Sequence, residues 1–600
     1  MRTFFTKSLA LFFAIYCISE PLLAEQIIWR GTPLEQTENL LSGNLNITLK
    51  NGLAKGSIGG LTAQAVIDSQ QRFELFFAAQ GVSELVMGTG VFKGYLLNDG
   101  ELRGHWVRPK LQKRSNVSYA SPVHFLREFG VYRGVVTPLE DSLSIYFLGE
   151  QRTENRFGLT AFVPENNGGR YYSNAELLFE DDKAILTQVS RTGEKEVITG
   201  TYKSNFNSFR MSFLHWGGDF LFQKQSDDKL GLLAKNRNKP YSVPDQEYDG
   251  WPVGKSEEFG IDSKILQDFA NMLSANPAQS AYQAQTEAFL LARNGVLIFE
   301  QYFRGYDSKI PHDLRSASKS LTGILPGLAE HAGWLNSTAT LTRQIAVKRL
   351  LEENIYDALG VVPENPNKRA ITLEHALSMS TGLDCDDNRR ESPGNEEIMQ
   401  NQQDDQDWFG YILGLEVLHK PGSHTAYCSG GINLAGAVVT AKTGVWIPAL
   451  IEDLFARPLG ISNYQINLMP DGKQGYSGGG LQLRARDFLK LGQLMLNKGS
   501  WKNSQLLAPT YVESALTPRG TMFSDQYALG WWVRTYEVDK RRYDVFYAGG
   551  NGGQQIIAVP ELDMVAVFLG SAYGTRGSFT ARDEWFPNII LRNAIISADL

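Results

Sequence analysis

Six hundred residues, 42% of them apolar, are enough for more than one domain with a well-filled core. The formal net charge of -7, from 58 Lys and Arg against 65 Asp and Glu, gives no sign of the basic excess typical of nucleic-acid binding. Three cysteines and eight histidines, with no His/Cys group at metal-ligand spacing, argue against a metal site.

The chain opens with Met1-Arg2-Thr3-Phe4-Phe5-Thr6-Lys7, an apolar run over 9–18, and Pro21-Leu22-Leu23-Ala24, the order of a secretory signal over 1–24 cleaved after Ala24. The apolar run is short for a bilayer, so no stable membrane span is expected after cleavage, and the address is periplasmic or secreted. Loss of Cys17 with the signal leaves Cys385 and Cys428. In an oxidising compartment the pair is expected as a disulfide, the alternative being two buried thiols.

Over 25–240, short alternating segments at 102–107, 143–148 and 209–214, separated by Gly, Asn and Asp, predict an all-β domain, an antiparallel sandwich or barrel. His105, His124 and His215 lie in strand-like surroundings and are expected to be structural. Residues 241–260, with Pro244 and Trp251-Pro252, have the composition of a linker. Beyond it, over 261–600, the pattern mixes. A helix is predicted at 266–273, then a hairpin in which Asn294-Gly295 joins 288–293 to 296–299. A second helix follows Ser316, with a kink or stop at Pro326. A largely helical middle spans 340–520, strands return at 543–547, 554–559 and 564–568, and a helix at 587–596 closes the chain. Strands at both ends with helices between them predict one α+β domain whose antiparallel sheet unites both pieces and carries a helical subdomain.

Chemistry concentrates at Arg315-Ser316-Ala317-Ser318-Lys319. One helical turn separates Ser316 from Lys319, so the amine can reach the hydroxyl, and a desolvated lysine near a helix N-terminus can accept the serine proton. About a hundred residues later comes Pro421-Gly422-Ser423-His424-Thr425-Ala426-Tyr427-Cys428-Ser429-Gly430-Gly431, and near the end Ala548-Gly549-Gly550-Asn551-Gly552-Gly553-Gln554.

With these three segments, residues 255 to 600 resemble the serine β-lactamase and penicillin-binding-protein superfamily, in particular the branch of class C β-lactamases, D-alanyl-D-alanine peptidases and related esterases. In that family Ser-x-x-Lys is followed by Tyr-x-Asn. The resemblance implies that Ser316 is the nucleophile, Lys319 and Tyr427 transfer protons, and no cofactor or metal is used. Ser429 stands where the family has Asn, and a hydroxyl keeps only part of an amide's hydrogen bonding. Tyr-Cys-Ser here is similar to the aminohexanoate-dimer hydrolases, which share the fold. The third motif implies an oxyanion site near Gly550, Asn551 and Gly552, with Ala548 or Gly549 where the family carries a cation, which disfavours efficient β-lactam hydrolysis.

Residues 384–407 hold nine acids against two arginines. Stapled through Cys385 to Cys428, this stretch would favour substrates with a free amine; unstapled, it is a solvated loop. The expected function is an exported serine hydrolase acting on a small amide or ester. Alternatives are a D,D-peptidase or weak β-lactamase on cell-wall peptides, and a catalytically silent binding or sensor protein. The number of subunits is left open.

Overall fold

The computed structural model describes residues 26–34, 41–83, 88–108, 118–136, 145–163, 169–189, 195–203, 206–213, 218–226, 240–275, 285–304, 306–335, 343–400, 407–470, 472, 474–572 and 576–596. The expected signal segment with Cys17, His215, and residues 401–406 of the acidic stretch lie outside them.

The N-terminal region is β-rich, as its alternation predicts, and it forms two units. In the first, strands Gln26–Pro33, Ile145–Thr153, Arg156–Val163, Gly169–Glu180, Lys183–Val189, Lys195–Lys203, Ser208–Phe213 and Gly218–Lys224 close into an antiparallel barrel. The last strand pairs with the first, Arg30 opposite Gln223. Alternate residues point inward and fill the interior with aromatic rings. Phe147 stacks on Phe222 at 4.3 Å and Phe222 on Phe209 at 4.8 Å, while the buried Trp29 donates its Nε1–H to Phe206 O at 2.7 Å.

Between the first two barrel strands the chain builds a second unit over 43–136. One of its sheets, Arg72–Phe77, Gly90–Leu96, Leu102–Arg108 and Tyr119–Pro122, does not end within the N-terminal region. Tyr464–Asn467, Leu481–Leu483 and His312–Asp313 extend it to seven strands, with Ala120 opposite Ile466. Backbone hydrogen bonds thus run from the N-terminal unit to the strand two residues before Arg315. His105 is structural here, its Nε2 bonded to Tyr464 Oη, and His124 Nε2 bonds Ser462 O.

The C-terminal region is built on an eight-stranded antiparallel sheet in the order Val296–Tyr302, Thr286–Arg293, Met564–Gly570, Gln554–Val559, Arg541–Gly550, Trp532–Val538, Asp525–Tyr527 and Gly520–Met522. Both faces are covered. Phe568 meets Phe269 of helix Ser263–Ala275, which also packs on Trp585 of helix Ala581–Ala594. Val565, of opposite parity, faces Gly492 of helix Ala485–Leu496. Covering on both faces explains why both strands are buried throughout and carry continuous apolar stretches, over 288–292 and 564–569, rather than alternating ones.

Two expectations change. Residues 241–260 are not a free linker but part of the C-terminal core. Trp251 is buried and donates to Arg486 O, Val253 bridges Leu297, and Tyr241 Oη donates to Ile298 O. The buried Arg486 closes the segment down by pairing with Glu300 at 2.5 Å and Asp249 at 3.4 Å and donating to Asp245 O. The helix after Ser316 does not stop at Pro326 but runs Lys319–His331. Every residue from Lys319 to Glu330 is buried, so packing on all sides outweighs one missing backbone bond.

Candidate active site

The site is assembled where the Ser316 turn, the Tyr427 loop, the Gly478 loop and one hairpin tip meet. Asp313 starts the turn by accepting from Arg315 N at 2.9 Å, and Arg315 has a positive φ of 49°. This delivers Ser316, half-buried, to the head of the helical turn Arg315–Ser318. There the first backbone N–H groups have no intrahelical acceptor, so the Ser316 N–H can meet negative charge. Lys319 is only 1% exposed. Its Nζ donates to Ser316 Oγ at 2.9 Å and to Gly478 O at 2.5 Å. Gly478 is itself held by Asn433 Oδ1, which accepts from Gly478 N at 2.8 Å.

Tyr427 belongs to the same cluster: Lys319 Nζ lies 5.0 Å from the centre of its ring. The ring stacks on Trp532 at 6.1 Å and 15°, with Phe523 at 6.5 Å, so an aromatic wall fixes its plane. Cys385 and Cys428 are joined as a disulfide with Cα atoms 5.4 Å apart, tying the start of the acidic stretch to the residue after Tyr427.

Ser429 is fully buried, and its hydroxyl is already used. Asp387 Oδ2 accepts from Ser429 N at 2.8 Å and from Ser429 Oγ at 2.7 Å, and Asp387 Oδ1 accepts from Glu396 N at 2.9 Å. Burial, and then the nearby Glu396 carboxylate, push the Asp387 carboxyl up to about 6, against the opposing pull of Lys319 and the Ser429 hydrogen bonds. The acidic stretch is therefore not simply a charged rim. Asp384 pairs with Arg389, Tyr476 Oη donates to Glu396, and the half-buried Asp387 is turned to Ser429. In the sequence Asp387 stands out only as one acid, beside Asp386, of the run after Cys385 that would favour an amine-bearing substrate; that it is the one held by Ser429 has no signal there, and Gly478 and Asn433 have no site role legible in the sequence.

The hairpin tip between Arg541–Gly550 and Gln554–Val559 lies against the Ser316 turn. A Cβ on Gly550 would be 2.3 Å from Leu314 O and 3.1 Å from Ala317 N. Asn551 is exposed. The Gly552 N–H is committed to Ser578 Oγ at 3.1 Å, and Gly552 O accepts from Ala572 N, which makes Gly552 a brace for the tip. Gly550→Ala is expected to leave the protein folded but push the Ser316 turn out of register, lowering kcat/KM for any substrate turned over there on the order of 10²-fold. Steady-state kinetics beside a thermal melt checks this, and an alanine variant with full activity would sink the claim that Gly550 sets the turn.

A family model described as Beta-lactamase matches residues 269–585. A 6-aminohexanoate-dimer hydrolase from Paenarthrobacter ureafaciens is 24% identical over 299 residues, covering 48% of this chain and 72% of the relative. Among solved structures, the penicillin-binding protein from Bacillus halodurans is 18% identical, with 49% of this chain and 94% of that one covered and a TM-score of 0.37. A family VIII carboxylesterase is 15% identical, with 52% and 92% covered and a TM-score of 0.40.

Proposed function

We propose, from the premise that this chain belongs to the beta-lactamase family, that it is an exported serine hydrolase opening a small amide or ester through an acyl-enzyme on Ser316. The observation that carries this reading is the 2.9 Å contact between Lys319 Nζ and Ser316 Oγ inside a buried polar cluster. A neutral amine can donate to Gly478 O while its lone pair faces the serine proton. Lys319 then takes that proton as Oγ bonds to the substrate carbonyl carbon. The oxyanion is met by the Ser316 N–H and a backbone N–H of the Gly550–Asn551 tip. Tyr427 relays the proton to the leaving nitrogen or oxygen as the C–N or C–O bond breaks. Water, deprotonated by the same pair, attacks the acyl carbon, and Ser316 leaves with its proton restored.

Export is supported by the charged-then-apolar N-terminal run and by the cysteine pair. The acidic groups near the site, and the relative that is a 6-aminohexanoate-dimer hydrolase, favour a linear amide or ester bearing an amine. Purified protein should be tested on p-nitrophenyl esters, amino-acid amides, a D-alanyl-D-alanine peptide and a chromogenic β-lactam. Fastest turnover on an amine-bearing ester or amide is expected. Fastest turnover on the D-alanyl peptide would favour a cell-wall peptidase instead, and labelling by a fluorophosphonate without turnover would favour a binding protein.

A further inference from the structure

Strands Gly520–Met522 and Asp525–Tyr527 are joined by Phe523 and Ser524, with Met522 opposite Asp525. Both loop residues have positive φ, 51° and 70°. A hairpin turn with two left-handed positions is normally made by Asn-Gly or Asp-Gly, because a bulky side chain is disfavoured there. Phe523 is also 64% exposed, so burial of its ring offsets little of that cost. Backbone strain of this kind persists where the surrounding structure holds it, and it concentrates at ligand contacts.

The surroundings here belong to the site. Asp525 is buried and anchors the hairpin: its Oδ2 accepts from Tyr547 Oη at 2.6 Å and its Oδ1 from Arg534 Nε at 3.0 Å. On the other strand, a Cβ on Gly520 would be 2.1 Å from Thr425 Oγ1, so the hairpin is pressed against the loop that carries Tyr427. The Phe523 ring is 6.5 Å from that of Tyr427 and 6.1 Å from that of Trp532, and the last two are 6.1 Å apart. The rings meet as one corner, with Trp532 buried at its back, Tyr427 half-buried and Phe523 open to solvent.

Tyr427 determines which part of a substrate meets this corner. In the serine hydrolase reading, on which this inference rests, Tyr427 hands its proton to the leaving nitrogen or oxygen, so the group attached to that atom lies beside Tyr427 and the acyl chain does not. We propose that Phe523 is a specificity-determining residue: with Tyr427 and Trp532 it forms an apolar surface for the leaving group, and the favoured amides and esters are those whose amine or alcohol part carries an extended alkyl chain or a phenyl ring. Methylenes leaving water and aryl edges meeting ring faces both gain from such a surface.

The test measures kcat/KM of the full-length protein on ethyl, butyl, hexyl and benzyl acetate, which vary the alcohol, and on ethyl butanoate and ethyl hexanoate, which vary the acyl chain. The alkyl alcohols leave with nearly equal basicity, so ratios among them report contact. Hexyl acetate should exceed ethyl acetate, and Phe523→Asn and Phe523→Ala should each lower that hexyl-to-ethyl ratio about three- to tenfold, with Phe523→Leu lowering it less. The ratio of ethyl hexanoate to ethyl acetate should stay as in wild type. Phe523→Asn, which tolerates the left-handed turn, should melt at or above the wild-type temperature. An unchanged hexyl-to-ethyl ratio in both variants, a change in the acyl-chain ratio instead, or a lowered melting temperature with every ester slowed by one factor would each overturn the assignment, while turnover that depends on Ser316 leaves the hydrolase reading standing. No Ser316-dependent turnover of any ester would sink that reading, and this inference with it.

Discussion

Ser316→Ala is expected to lower kcat by at least about 10³-fold on whichever ester or amide the wild type turns over, with a melting temperature within a few degrees of wild type. Ser316 is half-buried, and its Oγ takes a single hydrogen bond from Lys319, so little stability rests on it. Lys319→Met should cost a similar factor for a different reason. The thioether chain fills a comparable volume, so the fold is expected to persist while the base is gone, which a thermal melt beside the kinetics checks. Because nucleophile and base act in one step, the double variant should be no slower than Ser316→Ala alone. Additive losses in kcat would mean that Lys319 serves something other than Ser316. Fluorophosphonate labelling read beside the kinetics distinguishes loss of the nucleophile from loss of the site.

Asp387→Asn is expected to lower kcat/KM about 10- to 100-fold near neutral pH, the worth of one hydrogen-bonded charge. As Lys319 accepts the serine proton it becomes an ammonium, and an ionised Asp387 favours that product of the transfer. The carboxyl titrates at about 6, so it is charged above that pH and neutral below. Wild-type kcat/KM should therefore fall as pH drops through about 6, and the asparagine variant should lack that limb. The groups acting on Asp387 are Glu396, which raises its pKa, and Lys319, which lowers it, with the Ser429 hydrogen bonds adding to the lowering. Glu396→Gln removes the like charge and should move the acid limb to lower pH. A limb of the same midpoint in Asp387→Asn would assign it to another group and reduce Asp387 to a purely structural tie for Ser429.

Asp387 also illustrates why part of the site was hidden. Ser-x-x-Lys is readable because a helix brings residues three apart together whatever the rest of the chain does, and the 2.9 Å contact follows from that spacing. The Asn294-Gly295 hairpin is readable for the same reason, and it joins Thr286–Arg293 to Val296–Tyr302. Asp387 meets Ser429 across 42 positions, at no helical or strand period, so no local pattern could single it out from neighbouring acids.

From residue order alone came the β-rich N-terminal region, the α+β C-terminal region, the Ser316–Lys319 pair and the Tyr427 loop, all products of backbone periodicity, turn chemistry or recurring motifs, while the choice between a Cys385–Cys428 bridge and two thiols stayed open there. Only the tertiary structure decided that residues 241–260 are core, since Trp251 and Asp249 are held by Arg486 more than two hundred positions away. It alone decided that the N-terminal sheet continues through Ile466 and Leu483 to His312, that helix Lys319–His331 passes Pro326, and that one acid of a charged run turns to Ser429. Each of these rests on burial or pairing between distant segments. Their free energy depends on which surfaces meet, and no window of neighbouring residues encodes that.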